Sequence, residues 1–221
     1  MDMETPGKTA DRTDFVTLPT VERTGFVELS PYEGEIDPRE WEGLEYLDWK
    51  SGGDTNFAIL ASATGEHDPR GFWEHGKPDK DGVWTSNIEA SPTLRKWTES
   101  VGANFGRVRI IKLEPNSEAD ALRNLHPDDN NRITEKGTGW VVRAWLQLTD
   151  NPNSFMIVRE SKDDPATEHR IPLPAGAQFV LDSERLHHAV WHQGIEPRYA
   201  LIASFESGPE LGSWIESQRK V

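Results

Sequence analysis

The sequence predicts a mainly β protein with flanking helices. Over the second half of the chain, short segments rich in Val, Ile, Leu and Trp follow one another closely and are separated by turn residues. Many short strands at close spacing are typical of a β-sandwich or a β-barrel. The chain has 221 residues and no internal repeat, which suits one domain with a sizeable core.

The first half of the chain predicts an arm followed by helical support for the strands. Residues 1–35 are polar, with scattered Pro, Gly and Thr, and predict a partly ordered N-terminal arm with one short strand. Beyond this arm we expect a single domain over 36–221, with helical support over 36–105. One helix is expected to begin at Asp37, where Asp caps the first turn, Pro follows and Glu40 completes a capping box.

A second helix is expected to begin at Ser91, because Leu94, Trp97 and Val101 recur at helical spacing. Before it, residues 63–90 carry many Gly, Asp, Pro and His residues and show little periodicity. A loop of this length is often a lid or a binding loop, although surface decoration explains the composition equally well.

The metal-binding core described below is expected over 106–207, and a C-terminal helix over 208–221. One strand covers residues 139–148, where alternation puts Arg143 and Trp145 on one face and small or branched apolar residues on the other. A buried strand with Arg on one face indicates a pocket that polar side chains line. The remaining strands are expected at 55–61, 107–113, 154–160, 167–173, 177–182, 187–191 and 198–206.

Composition excludes several classes of function. The formal net charge is −14, so a nucleic-acid partner is not expected, because phosphate binding needs a basic surface. The absence of cysteine excludes disulfides, thiolate zinc sites and cysteine nucleophiles, and it fits a reducing cytoplasm. No stretch approaches the roughly 18 apolar residues of a membrane span, and no signal peptide is visible. We therefore expect a cytoplasmic protein without a membrane partner.

A His-x-Asp pair, His126 and Asp128, is the first candidate for a metal site. Residues two apart on an extended segment point to the same side, so both side chains can reach one ion. Two imidazoles and one carboxylate on one face of Fe(II) form a mononuclear non-heme iron site whose opposite face stays open. Taken alone the pair is a weak signal, because short His-x-Asp matches are frequent by chance and a surface turn explains it as well.

Three histidines downstream, His187, His188 and His192, are candidates for the third ligand. His188 is favoured because Arg198 follows it by ten residues, the arrangement that a metal-bound organic acid requires. His187 would face the opposite side of a strand, and His192 lies further along the same side. For these two, a hydrogen bond near the site or a place in the pocket wall is the alternative role.

Arg198 is the candidate for gripping an organic acid on the open face of the metal. A guanidinium group binds a carboxylate by two parallel, charge-assisted hydrogen bonds. The alternative is an internal salt bridge, because an unpaired buried charge is costly. Arg143 is a second candidate, to which the same alternative applies.

The stretch from Arg107 to Ser207 resembles the Fe(II)- and 2-oxoglutarate-dependent oxygenases. Within them it is similar to the aspartyl/asparaginyl β-hydroxylase-like group, which includes the L-proline cis-4-hydroxylases. Weaker similarity extends upstream, to 44–49 and 91–94. The matching segments are Arg107-Val108-Arg109-Ile110-Ile111-Lys112, His126-Pro127-Asp128, Val142-Arg143-Ala144-Trp145-Leu146, Phe179-Val180-Leu181-Asp182, Leu186-His187-His188-Ala189 and Pro197-Arg198.

The resemblance implies a double-stranded β-helix, the jelly-roll or cupin-like barrel, with helices packed on one sheet. It implies that His126, Asp128 and His188 bind iron(II). It further implies that Arg198 binds the far carboxylate of the cosubstrate 2-oxoglutarate and that Arg143 helps to bind this acid.

The chain departs from the group at two places. Trp145 stands where a His is often found two residues after the arginine, and the segment 117–124 is longer than in the proline hydroxylases. The acidic ligand, Asp128, is present, whereas related halogenases carry a small residue there so that chloride can bind. The resemblance therefore implies hydroxylation.

The expected function is hydroxylation of an unactivated C–H bond in a small amino-acid-like metabolite, with O₂ consumed and succinate and CO₂ released. No catalytic residue beyond the metal ligands is required. Trp140, Trp145 and His192 are candidate substrate-binding residues, and a plain core role fits the two tryptophans equally well. The alternatives are a peptidyl Asp/Asn β-hydroxylase, a cupin-like metalloenzyme that does not use 2-oxoglutarate, and a ligand-binding barrel without turnover.

Overall fold

The computed structural model describes residues 11–48 and 55–219. The first ten residues of the expected N-terminal arm, Trp49 of the upstream similarity and the last two residues of the expected C-terminal helix lie outside these ranges. The helices are α1 (Pro19–Glu22), α2 (Arg39–Glu42), α3 (Pro92–Ser100), α4 (Glu118–Arg123) and α5 (Pro209–Gln218). The strands are β1 (Phe26–Glu28), β2 (Leu47–Asp48), β3 (Thr55–Ser62), β4 (Val83–Trp84), β5 (Phe105–Leu113), β6 (Val141–Gln147), β7 (Asn151–Arg159), β8 (His169–Leu173), β9 (Gln178–Leu181), β10 (His187–His192) and β11 (Arg198–Glu206).

Two antiparallel sheets make up the described β structure. The larger sheet has the order β1-β9-β6-β11-β5-β3-β2, and β4 pairs with β3. The last strand, β11, lies between β5 and β6, so its pairings join residues that are far apart in the sequence. The smaller sheet has the order β10-β7-β8.

Each face of the larger sheet is covered by an apolar layer. On the outer face, Trp97 of α3 and Trp214 of α5 meet edge to face, with 5.8 Å between ring centroids. On the inner face, side chains of the two sheets pack against each other. Burial of each large apolar side chain stabilises the fold by about 1.5–3 kcal/mol. The inner layer contains Trp145, Phe179, Leu181 and Ile202 of the larger sheet and Met156, Val158, Ile171 and Leu173 of the smaller sheet.

Two facing antiparallel sheets with helices on one outer face are the arrangement of a double-stranded β-helix. The prediction of a mainly β protein with flanking helices is therefore confirmed. The inner space between the sheets is the place where this architecture can hold a ligand.

The described part of the N-terminal arm packs on the larger sheet. Strand β1 pairs with β9, Phe26 opposite Leu181. Val21 and Leu29 are each only 2% exposed. From residue 11 onward the arm therefore contributes to the core, which its polar composition did not predict.

The predicted capping box at Glu40 is wrong. The backbone N–H of Arg39 donates to Asp37 as expected, but the Glu40 carboxylate accepts from the backbone N–H groups of Thr93 and Leu94, at 2.9 and 3.2 Å. The first N–H groups of any helix lack partners within it, so Glu40 caps α3 across the tertiary structure instead of its own four-residue helix.

The loop 63–90 is fixed against the inner edge of the larger sheet. A Cβ atom at Gly106 of β5 would overlap the backbone of Asp79, so only glycine allows this approach. The carbonyl of Pro69 accepts a hydrogen bond from Arg109 at 3.0 Å. Further along, Trp73 lies under the guanidinium of Arg132, 3.8 Å from its ring centroid, so the loop touches the segment that follows His126 and Asp128.

Among the helices in the described ranges, the longest has ten residues. That is half of the roughly 20 residues that a bilayer-spanning helix needs.

Candidate metal centre

A backbone bridge places His126 beside His188. The segment after α4 joins the edge of the smaller sheet as a single antiparallel bridge, His126 to His188. The N–H of His188 donates to the carbonyl of His126 at 3.0 Å, and the reverse hydrogen bond spans 3.4 Å. The two imidazole rings lie 4.8 Å apart, centroid to centroid. Residues 62 positions apart in sequence are thereby brought side by side.

Both rings turn the same nitrogen toward the centre. Nδ1 of His126 lies 2.8 Å from the carbonyl of Asn124, and Nδ1 of His188 lies 3.2 Å from the carbonyl of Leu186. A carbonyl only accepts, so Nδ1 is the donor nitrogen of each ring and Nε2 is the nitrogen left to face a metal ion. Metal-binding histidines are oriented in this way in proteins, by a hydrogen bond from the other ring nitrogen.

Asp128 is the third member of the group. Its N–H donates to the carbonyl of Ser183 at 2.8 Å, which fixes the backbone. One carboxylate oxygen, Oδ2, lies 3.8 Å from Nε2 of His188 and 3.1 Å from Nη1 of Arg143. Although buried, this oxygen accepts no well-aligned hydrogen bond from the described residues. Besides the ion pair with Arg143, this oxygen therefore keeps lone pairs that a metal ion can take.

The electrostatics of the site favour an ionised carboxylate beside neutral imidazole. Burial raises the pKa of Asp128, but Arg143 and His188 together with a hydrogen bond from Ser183 outweigh it, so this pKa lies well below its ordinary value. Burial lowers the pKa of His188 to about 4, although Asp128 partly opposes this. At neutral pH His188 is thus uncharged and does not form an ion pair with Asp128.

The group has the composition of a transition-metal site. One ligand atom from each of His126, Asp128 and His188 lies within 4.8 Å of the other two. Two imidazole nitrogens and one carboxylate oxygen suit a divalent first-row metal such as Fe(II). Oδ2 of Asp128, which accepts no well-aligned hydrogen bond from the described residues, and the two inward Nε2 atoms fit such an ion.

His187 and His192, the other candidates for the third ligand, lie elsewhere. His187 alternates to the other face of β10. His192 is completely buried, with its ring nitrogens 2.8 Å from the hydroxyl of Ser154 and 2.8 Å from the carbonyl of Glu196. Both nitrogens of His192 are therefore engaged within the protein, and its role in binding substrate stays a prediction.

Arg198 lies inside the barrel, and the described residues give it no counter-charge. It shares the inner face of β11 with Ile202, and it is only 2% exposed. No carboxylate among the described residues forms a salt bridge with it, and its Nε atom has no hydrogen-bond partner. Burial alone lowers its pKa to about 9. The internal salt bridge considered as the alternative for Arg198 is not found in the described structure.

Arg143 lies against the acidic candidate ligand. Nη1 is 3.1 Å from Asp128, and Nη2 donates to the side-chain oxygen of Asn130 at 2.6 Å. Asn130 in turn donates to the hydroxyl of Ser183 at 2.9 Å. Arg143 therefore braces the loop that carries Asp128, and its predicted contact with the cosubstrate stays a prediction.

The two tryptophans proposed as pocket walls differ in position. Trp145 stacks on Phe179, with 5.1 Å between centroids, and presents its edge to His188 at 6.1 Å. Trp140 belongs to the outer core, where its indole N–H donates to Asp182 at 3.1 Å. Of the two, Trp145 is beside the candidate metal centre, and Trp140 has the core role that was its alternative.

Several residues around the site escaped the sequence prediction. Asn130 and Ser183 lie in loops and carry no pattern that would have indicated them. Arg107 and Arg109 did carry a signal, because two charges alternate within an otherwise apolar strand and so share one face of the sheet. The alternation of these two arginines is visible in the sequence of β5 alone.

No protein-family model matches this chain, and no curated protein matches it. Among solved structures, a prolyl hydroxylase from Trichoplax adhaerens, in complex with a hypoxia inducible factor peptide fragment, is 11% identical with a TM-score of 0.53; the match covers 88% of this chain and 89% of that one. At this identity the likeness shows the fold, a double-stranded β-helix.

Two further solved structures are less similar. The non-heme alpha ketoglutarate dependent carbocyclase SnoK is 14% identical over 85% of this chain and 81% of that one, with a TM-score of 0.49. The iron(II) form of HppE is 11% identical over 78% of this chain, with a TM-score of 0.39, and the match spans 60% of the length of HppE.

We expect Asp128→Asn to weaken binding of manganese(II), a stable substitute for Fe(II), by about 100-fold or more. Even the loss of a residue that only hydrogen-bonds to a metal ligand typically lowers metal affinity by about 10–100-fold. Titration calorimetry measures the affinity, and circular dichroism checks the fold. The matched control is Asp129→Asn, which removes the neighbouring exposed carboxylate and should bind like the wild type. Wild-type affinity in Asp128→Asn would remove Asp128 from the site.

We expect Arg198→Gln to raise the free energy of unfolding of the ligand-free protein by about 1–3 kcal/mol, because it removes a buried charge that has no partner. Arg143→Gln should instead lower the free energy of unfolding, since it leaves the Asp128 carboxylate without its cationic partner. Urea unfolding measures both. A marked loss of stability in Arg198→Gln would mean that the protein itself supplies a partner for this guanidinium.

Proposed function

We propose that this protein is an Fe(II)- and 2-oxoglutarate-dependent oxygenase that hydroxylates an unactivated C–H bond of a small amino-acid-like metabolite. The observation that carries the proposal is the pairing of two features in one barrel. One is the His126–Asp128–His188 group with its inward ligand atoms. The other is the buried guanidinium of Arg198, which forms no salt bridge within residues 11–48 and 55–219.

Each feature alone would support a weaker conclusion. A metal site of this composition occurs in barrels that do not use 2-oxoglutarate, such as cupin-like enzymes. A buried Arg without a carboxylate, however, is unfavourable unless a ligand supplies the anion. Arg198 therefore supports a bound organic acid and favours the oxygenase over the metalloenzyme without 2-oxoglutarate and over the barrel without turnover.

The protein residues in this proposal hold and orient the reactants. His126, Asp128 and His188 would bind iron(II) on one face, and Arg198 would bind the far carboxylate of 2-oxoglutarate by a two-pronged hydrogen bond. When bound, iron(II) would supply activation of O₂, the oxidant, with 2-oxoglutarate as co-reductant: one oxygen atom enters succinate as CO₂ is released, and the other enters the C–H bond. No protein acid or base is required at the carbon that is oxidised.

Neighbouring residues cover one side of the site, at His188, whereas His126 is exposed. Trp145, stacked on Phe179, covers His188 from the inner layer. The loop 63–90 lies over the adjacent edge, where Trp73 contacts Arg132.

The proposal is tested by measuring succinate formation from 2-oxoglutarate with iron(II) and O₂, across a panel of free amino acids and their derivatives. At least one of these should stimulate succinate formation and gain one oxygen atom, detected by mass spectrometry. Arg198→Gln should raise the KM for 2-oxoglutarate by about tenfold or more, since hydrogen bonds between charged groups are worth that much. The matched control is Arg39→Gln, which removes an exposed arginine and should leave the KM for 2-oxoglutarate unchanged.

Two results would contradict the proposal. One is an iron-loaded protein that makes no succinate under any condition, including prolonged incubation without a second substrate. The other is an unchanged KM for 2-oxoglutarate in Arg198→Gln, which would place the acid elsewhere.

A further inference from the structure

The turn of residues 182–186, which joins β9 to β10, supports the segment that carries Asp128. The carbonyl of Ser183 in this turn accepts a hydrogen bond from the backbone N–H of Asp128 at 2.8 Å. The hydroxyl of Ser183 accepts from the side-chain amide of Asn130 at 2.9 Å. The same turn leads directly into β10, which carries His188. A displacement of this turn would therefore disturb two of the three candidate ligands.

Asp182 begins this turn and is completely buried. Oδ1 of its carboxylate accepts from the indole N–H of Trp140 and from the backbone N–H of Arg185, each at 3.1 Å. The backbone carbonyl of Asp182 accepts from the N–H of Leu186 at 3.0 Å. Asp182 therefore fixes the shape of the turn, and it does so with a carboxylate that is withdrawn from water.

Arg12 of the N-terminal arm supplies the counter-charge for this carboxylate. Nη2 of Arg12 lies 2.9 Å from Oδ2 of Asp182, and the guanidinium lies 5.6 Å from the centroid of the Trp140 ring. Within residues 11–48 and 55–219, Arg12 forms the one salt bridge of Asp182. A buried carboxylate that loses its cation is strongly destabilising, so the turn depends on Arg12.

The arm that carries Arg12 is itself attached to the loop that follows the His-x-Asp pair. The N–H of Val16 donates to the carbonyl of Thr138 at 2.9 Å, and the carbonyl of Val16 accepts from the N–H of Trp140 at 2.8 Å. Phe15 meets the Trp140 ring edge to face, with 5.2 Å between ring centroids. Arg12 therefore reaches the turn from a backbone that is held in place.

The turn carries a second acid, Glu184, which also contacts the loop after Asp128. The carboxylate of Glu184 accepts from the backbone N–H and the side-chain amide of Asn131, at 2.9 and 3.0 Å. Burial raises the pKa of Glu184, the hydrogen bonds from Asn131 oppose this, and the charge of Asp182 raises this pKa further. Without Arg12, the repulsion between the two acids would act on the turn unopposed by a salt bridge.

We propose that Arg12 and Asp182 are positioning residues of the metal centre. Their ion pair holds the turn of residues 182–186, and this turn holds Asp128 where it can bind the ion. The inference rests on the proposed function only for the metal centre, because neither the cosubstrate nor the substrate enters it. It makes the N-terminal arm part of the metal-binding machinery.

The first test is titration calorimetry of the full chain with manganese(II). Arg12→Gln should weaken manganese binding by about tenfold, because residues that support metal ligands typically contribute about 10–100-fold to affinity. Arg12→Lys, which keeps the positive charge, should recover most of the affinity. The matched control is Arg23→Gln, which removes an exposed arginine of the same arm and should bind manganese like the wild type.

A double-mutant cycle tests whether Arg12 acts through Asp182. Asp182→Asn removes the buried charge but keeps an oxygen that can accept from Trp140 and from the backbone of Arg185. In this background, Arg12→Gln should change manganese affinity by less than about twofold, because no charge is left for Arg12 to pair with. A tenfold loss in both backgrounds would show that the two residues act independently and would overturn the proposed ion-pair role.

A further measurement separates positioning from a general loss of stability. In the metal-free protein, Arg12→Gln should speed hydrogen exchange of the Asp128 backbone N–H by about tenfold and leave the amides of α3 unchanged, because openings are local. The comparison variant is Leu211→Ala, which creates a cavity in the outer layer. It should lower stability and leave manganese affinity unchanged.

Two results would overturn the inference while leaving the metal centre in place. One is wild-type manganese affinity in Arg12→Gln, and the other is an equal loss of affinity in Leu211→Ala. Absence of manganese binding by the wild type would overturn both the inference and the metal centre. Because no turnover is measured, a failure to form succinate would reject the proposed function without affecting this result.

Discussion

Two backbone hydrogen bonds between His126 and His188 determine where the candidate metal centre can form. They attach an otherwise irregular segment to the edge of the smaller sheet, and they align the two imidazole rings. Asp128 follows two residues later and is held by the carbonyl of Ser183. The ligand atoms are thus positioned mainly by the main chain, which is rigid, and only secondarily by side-chain contacts.

The inside of the barrel combines an apolar layer with charges that this layer disfavours. Among the described residues, Arg198 is buried without an acid beside it, whereas Arg143 has Asp128 at 3.1 Å. The unpaired charge of Arg198 lowers stability in the absence of a ligand. Its presence is understandable if an anionic ligand binds there, because binding to the folded state alone would restore the lost stability.

Sequence patterns predicted the strands well, because alternation in β6 separates the two faces of a strand that is buried at all seven positions. Sequence patterns also indicated the residues of the candidate metal centre. The two-residue spacing of His126 and Asp128 and the ten-residue spacing of His188 and Arg198 were the signals. They could not give the order of the strands, since the pairing of β11 with both β5 and β6 depends on contacts far apart in the chain. Glu40 shows the same limit: a local capping pattern was present, but the partner lay in α3.

The central claim is that one ion and one organic acid share this barrel. The most direct test is a crystal structure of the full chain grown under nitrogen with manganese(II) and 2-oxoglutarate. The account predicts manganese bonded to Nε2 of His126, the Asp128 carboxylate and Nε2 of His188, with the far carboxylate of 2-oxoglutarate on the guanidinium of Arg198. Manganese bound at other residues, or Arg198 paired with an acid of the protein itself, would contradict it.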